Sequence, residues 1–316
     1  MKVICITPLD HIPDVLKRLR AVSDVEYTPR ISKERLREKL LSSTFDAIFT
    51  NPNKQDYILD NSLLKGTSVK LINTASTGLN HIDLKDCEQL GIKVLSLTKD
   101  YDLIRKLPST SELAFGLALA MMRKIPQSHK SVLGGQWNYE PFVGRQLSGM
   151  TAGIVGYGRL GTFMAKYCES FGMEVIVCDP YKNVFNYDQV TLEEVMERSD
   201  LISLHVHVKE DTFEMINRKT IDMCVKSPYL VNTSRGEIVS EPDVCQALIS
   251  KKISGYGTDV LVDEFSNEAF LNKNDLINLS KEGYNVIVTP HIGGMSIEGQ
   301  TRAYQWAVKK FEDLNV

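Results

Sequence analysis

The sequence lacks a surplus of charge of either sign, which bears first on its partners. Its 316 residues carry 37 Lys and Arg against 40 Asp and Glu, a formal net charge of −3. General nucleic-acid binders usually carry a basic surplus, so we expect no nucleic-acid partner. With 43% hydrophobic and 24% charged residues, the composition is that of a globular protein and excludes a disordered or collagen-like chain.

Long apolar runs are also missing. A membrane-spanning helix needs about 18 consecutive apolar residues, whereas the stretch at residues 113–122 is interrupted by Gly116 and ends at Arg123. The N-terminus reaches Pro8 and Asp10 too early for a signal peptide. The six cysteines form no CxxC pair, which disfavours a zinc or disulfide framework. We therefore expect a cytoplasmic protein with reduced thiols and no membrane partner.

What the sequence does contain is an alternation of short β-rich runs and amphipathic segments. The strands are predicted at residues 3–7, 47–50, 69–73, 92–95, 152–155, 174–178, 201–205, 229–232, 255–259 and 285–289. A long helix is predicted at 109–125, with Ser109 as its N-cap, and a last one at 296–314. Such alternation indicates parallel sheets covered by helices. At about 150 residues per domain, the length predicts two doubly wound α/β domains.

A glycine-rich turn with the sequence GYGRLG spans residues 156–161, between a predicted strand and a predicted helix. In a dinucleotide site the first glycine permits the turn, the second lets the pyrophosphate approach, and the third lets helix and strand pack closely. The next strand ends at Asp179, whose carboxylate can accept ribose hydroxyls and repel the 2′-phosphate of NADP. Pro180 and Tyr181 add no positive charge. The pattern predicts NAD as cofactor.

Three polar segments follow later strands, at residues 232–236, 259–264 and 289–294. Ligands of open α/β sheets lie at the carboxyl ends of strands, so these segments should contribute to one site. They supply Arg235, His291 and a carboxylate, either Glu264 or Asp263. A guanidinium can bind the carboxylate of a 2-keto acid. An imidazole that is hydrogen-bonded to a carboxylate can exchange a proton with the carbonyl oxygen of the same acid. These side chains suit hydride transfer to a 2-keto acid.

Taken together, these motifs resemble those of the D-isomer-specific 2-hydroxyacid dehydrogenase family, in particular its glycerate, phosphoglycerate and hydroxypyruvate reductase branch. The resemblance covers nearly the whole chain. Its further motifs are STGLNHID at 76–83, GGQW at 134–137, LH at 204–205, NTSRG at 232–236 and PHIGG at 290–294.

The resemblance implies that Arg235 binds substrate, His291 is the acid/base and Glu264 pairs with His291. It also implies a flavodoxin-like substrate domain (residues 1–101 and 292–316), into which a Rossmann NAD-binding domain (residues 102–291) is inserted, and a homodimer. Cofactor contacts are expected from Gly156, Gly158, Arg159, Leu160, Gly161, Asp179, Val206, Thr233, Arg235, Asp259, His291 and Gly293. Substrate contacts are expected from Ser76, Thr77, Gly78 and Arg235.

Several alternatives stay open at this level. Close relatives acting on phosphoglycerate carry an Arg where this chain has Thr74, while residues 99–106 form a basic loop that is either solvated or an anion clamp. His205 and His207 share a strand face but lack a third metal ligand in a fitting pattern, so no metal is expected. Trp137 is expected to be a packing residue. The alternative function is an NAD(H)-sensing, corepressor-like interaction protein, since such proteins can keep the three catalytic residue types.

Overall fold

The computed structural model describes residues 1–52, 57–264 and 268–314, which fall into two compact units. The first unit comprises residues 1–107 and 295–316, and the second comprises residues 108–294. Residues 315–316 of the predicted substrate domain lie outside the described residues. The domain limits predicted from the sequence, and the roles given to the two domains, stay predictions.

The first unit contains one parallel five-stranded sheet in the order β2-β1-β3-β4-β5. Its strands are β1 (Lys2–Cys5), β2 (Asp24–Tyr27), β3 (Ala47–Thr50), β4 (Leu71–Thr74) and β5 (Lys93–Leu95). The helices that alternate with them are α1 (Pro13–Val22), α2 (Lys33–Ser42), α3 (Asn61–Leu64), α4 (Leu84–Gln89) and α5 (Tyr101–Ile104). This strand order is that of flavodoxin-like folds, so the predicted class of this sheet is confirmed.

The second unit contains a parallel seven-stranded sheet in the order β12-β11-β10-β9-β6-β7-β8. Its strands are β6 (Thr151–Val155), β7 (Glu174–Cys178), β8 (Asp188–Gln189), β9 (Leu201–Leu204), β10 (Tyr229–Asn232), β11 (Gly255–Thr258) and β12 (Val286–Val288). Its α-helices are α6 (Ser109–Met122), α7 (Ile125–Leu133), α8 (Arg159–Ser170), α9 (Leu192–Arg198), α10 (Arg218–Ile221), α11 (Glu241–Ile249) and α12 (Asp275–Lys281). Short 3₁₀ helices lie at Glu140–Phe142, Gly236–Ile238 and Glu268–Asn272. Counted from β6, this is the Rossmann order, as predicted.

Helix α13 (Ile297–Leu314) brings the last part of the chain back to the first unit. Successive residues of a strand point to opposite faces of the sheet. Val3 and Cys5 of β1 therefore face a cluster completed by α1 and α13, while Ile4 faces a second cluster completed by α2 and α3. The buried face of α13 consists mainly of Ala303, Tyr304, Ala307, Val308 and Phe311. The sheet is thus covered on both faces by helices, whose apolar residues recur at helical spacing.

The sequence analysis missed β2 and β8, and the physical reason is the same for both. Each is an edge strand, paired on one side only, and is largely polar or exposed, so it presents no apolar run. The predicted cap at Ser109 was wrong, because α6 already begins there and Pro108 occupies the N-cap position. Trp137 does not pack within the chain, contrary to expectation, since it is 91% exposed.

Candidate active site

The glycine loop joins β6 to α8, and its first and third glycines are required by close packing. Gly156 has a φ of +89°, and a Cβ there would lie 2.6 Å from the carbonyl oxygen of His205. A Cβ on Gly161 would lie 2.0 Å from the carbonyl oxygen of Gly156. Gly158, the N-cap of α8, has nothing within 4 Å of its would-be Cβ. This open space before the first turn of a 12-residue helix fits the pyrophosphate of NAD.

Asp179 directly follows β7 and is bound to the glycine loop. Its Oδ2 accepts the backbone N–H of Tyr157 at 2.8 Å, and its Oδ1 accepts that of Tyr181 at 2.9 Å. Lys182 donates its Nζ to the carbonyl oxygen of Tyr157 at 3.0 Å. This positive charge was not predicted from the sequence, because Lys182 lies one residue beyond Pro180 and Tyr181. Both a carboxylate and an ammonium group therefore border the loop.

Val206 and Thr233 lie just beyond β9 and β10, at the same edge of the sheet. A Cβ on Gly156 would lie 2.8 Å from Cγ1 of Val206, so Val206 packs against the first glycine. The Thr233 hydroxyl is buried and has no hydrogen-bond partner within the described part of the chain. Burying a hydroxyl without a partner costs free energy. A ligand with a polar group at this edge would satisfy it, as the amide-bearing end of NAD can.

Arg235 is held by the turn that follows β10. Its carbonyl oxygen accepts the side-chain amide of Asn232 at 2.8 Å, and the Asn232 side-chain oxygen accepts the N–H of Ser234 at 3.0 Å. The hydroxyl of Ser234 donates to the carbonyl oxygen of Leu204 on β9 at 2.8 Å. The half-buried guanidinium of Arg235 donates to the carbonyl oxygen of Ser234 at 2.7 Å. The backbone of Arg235 is thereby fixed relative to two strands.

The segment that carries Glu264 is held by Gly236, the last residue of the NTSRG motif, and by Glu241, which was not predicted from the sequence. A Cβ on Gly236 would lie 2.3 Å from the carbonyl carbon of Leu261, so only glycine permits this approach. The carboxylate of Glu241 accepts the N–H of Val262 at 2.9 Å and the side-chain amide of Asn274 at 3.0 Å. Burial raises the pKa of Glu241. In the sequence, this close packing is indicated only by the glycine that directly follows Arg235.

Glu264 and His291 form the central pair of the site. Nδ1 of His291 lies 2.9 Å from Oε1 of Glu264, and the Glu264 side chain is only 13% exposed. Asp263, the alternative carboxylate, is exposed. The structure therefore brings Glu264, and not Asp263, to the histidine. A carboxylate on one ring nitrogen fixes the tautomer and stabilises the imidazolium, which is the arrangement of an acid/base histidine.

Asp259 anchors the loop from which His291 projects. Its carboxylate is buried and accepts the Thr289 hydroxyl at 2.6 Å and the N–H groups of Ile292 and Gly293 at 2.8 and 2.7 Å. Burial raises the pKa of Asp259, and these donors oppose the rise. The loop needs such an anchor because His291 has a φ of +53°, in the left-handed region. The structure thus gives Asp259 a supporting position, and its predicted contact with the cofactor stays a prediction.

In the first unit, Ser76, Thr77 and Gly78 form a turn after β4. The Ser76 hydroxyl donates to the carbonyl oxygen of Gly78 at 2.7 Å, and the Thr98 hydroxyl donates to that of Thr77 at 3.2 Å. Within the described residues, no acceptor takes the backbone N–H groups of Thr77, Gly78 or Leu79. Adjacent N–H groups without acceptors are a favourable place for an anion.

The segment predicted as a basic loop contains the short helix α5, and it is exposed at Lys99, Arg105 and Lys106. Nε2 of His205 lies 2.9 Å from the Ser203 hydroxyl, and burial of the ring lowers the pKa of His205 to about 3. Among residues 1–52, 57–264 and 268–314, no three His, Cys, Asp or Glu side chains are grouped as metal ligands would be. Over the same residues, no helix combines the length and the apolar character that crossing a membrane requires.

Comparison with known proteins gives concordant matches. A family model described as "D-isomer specific 2-hydroxyacid dehydrogenase, NAD binding domain" matches residues 115–293. A hydroxypyruvate reductase of Thermotoga maritima is 35% identical over 254 residues, which cover 79% of this chain and 79% of that protein. A D-3-phosphoglycerate dehydrogenase of Methanocaldococcus jannaschii is 31% identical over 309 residues, or 96% of this chain, and the match spans only 55% of that longer protein.

The fold has counterparts among solved structures. The D-lactate dehydrogenase of Aquifex aeolicus, solved in complex with NAD and lactic acid, is similar to this chain with a TM-score of 0.77 and 27% identity. The similarity covers 100% of this chain and 95% of that one.

Proposed function

Because the chain belongs to the D-isomer-specific 2-hydroxyacid dehydrogenase family, we propose that Arg235, Glu264 and His291 interconvert a D-2-hydroxy acid and its 2-keto acid. The observation that carries this proposal is the contact of 2.9 Å between Nδ1 of His291 and Oε1 of Glu264. NAD is the cofactor, and it carries the hydride to or from the substrate carbon.

The three side chains have complementary tasks in the proposed reaction. Arg235 binds the substrate carboxylate and polarises the neighbouring carbonyl, because its planar guanidinium presents several donors in fixed geometry. In reduction, the protonated ring of His291 gives a proton to the carbonyl oxygen, and in oxidation the neutral ring takes it back. Glu264 holds the ring in orientation and stabilises its charged form.

For the cofactor we propose contacts along the carboxyl edge of the second sheet. Gly156, Gly158 and Gly161, with Arg159 and Leu160 at the start of α8, would hold the pyrophosphate, and Asp179 would accept the ribose hydroxyls. Val206, Thr233, Arg235, Asp259, His291 and Gly293 would border the nicotinamide half. The open space at Gly158 and the buried Thr233 hydroxyl without a partner support this assignment.

For the substrate we propose a small 2-keto acid of the hydroxypyruvate type, with its carboxylate received by the turn at Ser76, Thr77 and Gly78. The Thermotoga relative is named as a hydroxypyruvate reductase. The buried hydroxyl of Thr74 is bound to neighbouring side chains at 2.9 Å and offers no charge to a phosphate. The alternative of an NAD(H)-sensing interaction protein is not favoured, since the matched relatives carry the names of enzymes.

We further propose a homodimer located in the cytoplasm. Four apolar side chains in or shortly after α7 are strongly exposed, namely Leu133 (75%), Trp137 (91%), Tyr139 (80%) and Val143 (69%). A second copy of the chain would remove this apolar surface from water. The six cysteines are all free thiols, which suits a reducing compartment. Sedimentation should give a dimer for the native protein and a monomer for Trp137→Glu.

The test of the proposed function is NADH oxidation with a panel of 2-keto acids, namely glyoxylate, hydroxypyruvate, pyruvate, 2-oxoglutarate and phosphohydroxypyruvate. We expect turnover of hydroxypyruvate above that of its phosphorylated form. His291→Ala should bind NADH like the native protein and lose most turnover. Tight NADH binding without turnover of any acid would favour the sensor instead.

A further inference from the structure

A network of hydrogen bonds connects a buried histidine of the first unit to the turn at residues 76–78; it consists of His81, Thr74, Ser76 and Gly78 and is called the His81 network below. Nε2 of His81 lies 2.9 Å from the Thr74 hydroxyl, which lies 2.9 Å from the Ser76 hydroxyl. The Ser76 hydroxyl lies 2.7 Å from the carbonyl oxygen of Gly78.

The direction of every bond in the His81 network follows from its last member. A carbonyl oxygen can only accept a hydrogen bond, so the Ser76 hydroxyl must donate its single proton to the carbonyl oxygen of Gly78. The Ser76 hydroxyl therefore accepts a hydrogen bond from the Thr74 hydroxyl. Because Thr74 donates its proton to Ser76, it must accept from Nε2 of His81. Nε2 of His81 therefore carries the proton, and the ring is the Nε2–H tautomer.

The surroundings of His81 agree with this assignment. Its Nδ1 is buried without a hydrogen-bond partner within the described residues, which suits an unprotonated nitrogen better than an N–H. The residue is only 6% exposed, and burial lowers its pKa to about 4, so the ring is neutral at pH 7. His81 thus acts as a fixed donor over the physiological pH range.

The network ends on a peptide group whose other end faces the proposed anion site. The carbonyl of Gly78 and the N–H of Leu79 belong to one trans peptide and point in opposite directions. Holding the Gly78 oxygen toward Ser76 therefore turns the Leu79 N–H away from the network. The N–H groups of Thr77 and Gly78 likewise have no acceptor within the described residues. A turn with these amides in place needs no rearrangement when a carboxylate binds.

We propose that His81 is a positioning residue for substrate binding, which orients the Gly78–Leu79 peptide through Thr74 and Ser76 so that its N–H receives the substrate carboxylate. This inference rests on the proposed function, because it assigns that carboxylate to the turn. His81 itself does not touch the substrate. Its loss should therefore weaken substrate binding and leave both the chemical step and the binding of NADH intact.

Two pairs of variants separate the effect of the hydrogen bonds from the effect of side-chain volume. Thr74→Val removes the hydroxyl at nearly constant volume, and Thr74→Ser keeps it. His81→Leu removes the donor, and His81→Gln places an amide N–H near the position of Nε2. We expect Thr74→Val and His81→Leu to raise KM for hydroxypyruvate about tenfold, equivalent to about 1.4 kcal/mol. In both, kcat and the Kd of NADH should stay within threefold of native, and Thr74→Ser and His81→Gln should restore KM.

The double variant tests whether the residues act as one network. With His81→Leu present, adding Thr74→Val should raise KM little further, because the network is already broken. Effects that multiply would overturn the proposal, as would folded variants with a lowered Tm and a native KM. An equal loss of NADH affinity would also contradict it.

A measurement on the native protein serves if a variant fails to fold, and does not depend on activity. ¹⁵N NMR of the six histidines should show His81 as the Nε2–H tautomer from pH 5.5 to 8. With the Nδ1–H tautomer, Nε2 could only accept from Thr74, so Thr74 could not donate to Ser76 while Ser76 donates to Gly78, and the proposal would be overturned. A native protein that shows the Nε2–H tautomer but turns over no 2-keto acid would instead contradict the proposed function and leave the His81 network standing.

Discussion

Nδ1 of His291 lies 2.9 Å from Oε1 of Glu264, while the neighbouring Asp263 is exposed. Of these two adjacent acidic residues, Glu264 is the one that contacts the imidazole in the structure. Because Glu264 contacts Nδ1 of the ring, Glu264→Gln should lower kcat/KM about 10²-fold, the usual scale of general acid–base assistance. Asp263→Asn is the matched control and should stay within twofold of native. Steady-state kinetics decide the matter, and comparable losses in both variants would contradict the assignment.

Arg235→Lys keeps the positive charge but removes the planar fork of donors. Because the proposed substrate is held through two atoms, its carboxylate and its carbonyl, we expect kcat/KM to fall about 10²-fold or more. Titration of NADH fluorescence should give a nearly native Kd. The control is Arg218→Lys on α10, since Arg218 lies on the exposed surface. Kinetics of Arg235→Lys within threefold of native would remove Arg235 from the site.

The glycine loop allows a contrast between folding and binding. In Gly161→Ala the new Cβ would lie 2.0 Å from a carbonyl oxygen, so the loop must move, and both Tm and NADH affinity should fall. In Gly158→Ala the Cβ meets no atom within 4 Å, so Tm should be native. Its methyl group would still stand where the pyrophosphate approaches, and the Kd of NADH should rise at least about tenfold. Native NADH affinity in Gly158→Ala would show that the phosphates lie elsewhere.

Two buried neutral histidines make stability depend on pH. Burial lowers the pKa of His81 to about 4 and that of His205 to about 3, whereas in the unfolded chain both titrate near 6.5. Below pH 6.5 the unfolded state therefore binds more protons, and the free energy of unfolding falls as the pH drops. Each histidine contributes a slope of up to about 1.4 kcal/mol per pH unit down to its folded pKa. Above pH 6.5 their contribution is constant.

Urea unfolding between pH 8 and pH 5 measures this effect, in a window where most carboxylates stay ionised in both states. The native free energy of unfolding should be flat above pH 7 and fall below it. His81→Gln should fall less steeply than native, because one of the two groups is gone. Parallel curves for the two proteins would mean that His81 is not held neutral in the folded state.

The sequence was sufficient for the parts of the fold and site that depend on local pattern. The strand–glycine–helix order at residues 156–161 predicted the Rossmann sheet, and the continuous apolar strands predicted parallel pairing. The edge strand β8 could not be predicted, because a strand of two residues has no periodicity in its sequence. The choice between Asp263 and Glu264 also needed the structure, since it depends on how the chain turns after Leu261.

Supporting residues were harder to predict than the candidate catalytic ones. Asp259 was assigned to the cofactor, but its place in the loop depends on the left-handed backbone of His291, which no spacing reveals. Glu241 supports the Glu264 segment from a helix that is distant in sequence. His81 lies inside a motif that was recognised, yet its bond to Thr74 only appears once the turn after β4 is formed.

The return of α13 to the first unit sets the order in which the protein can be assembled during synthesis. The ring of Phe49 on β3 packs against the rings of Tyr304 and Phe311, with centroids 5.9 and 5.7 Å apart. When residues 1–107 leave the ribosome, one face of their sheet is therefore covered by α1 alone, and the helix that completes its cluster is translated about 190 residues later. The second unit is continuous in sequence and can fold in the meantime. The first sheet can thus bury the ring of Phe49 only after the second unit has been synthesised.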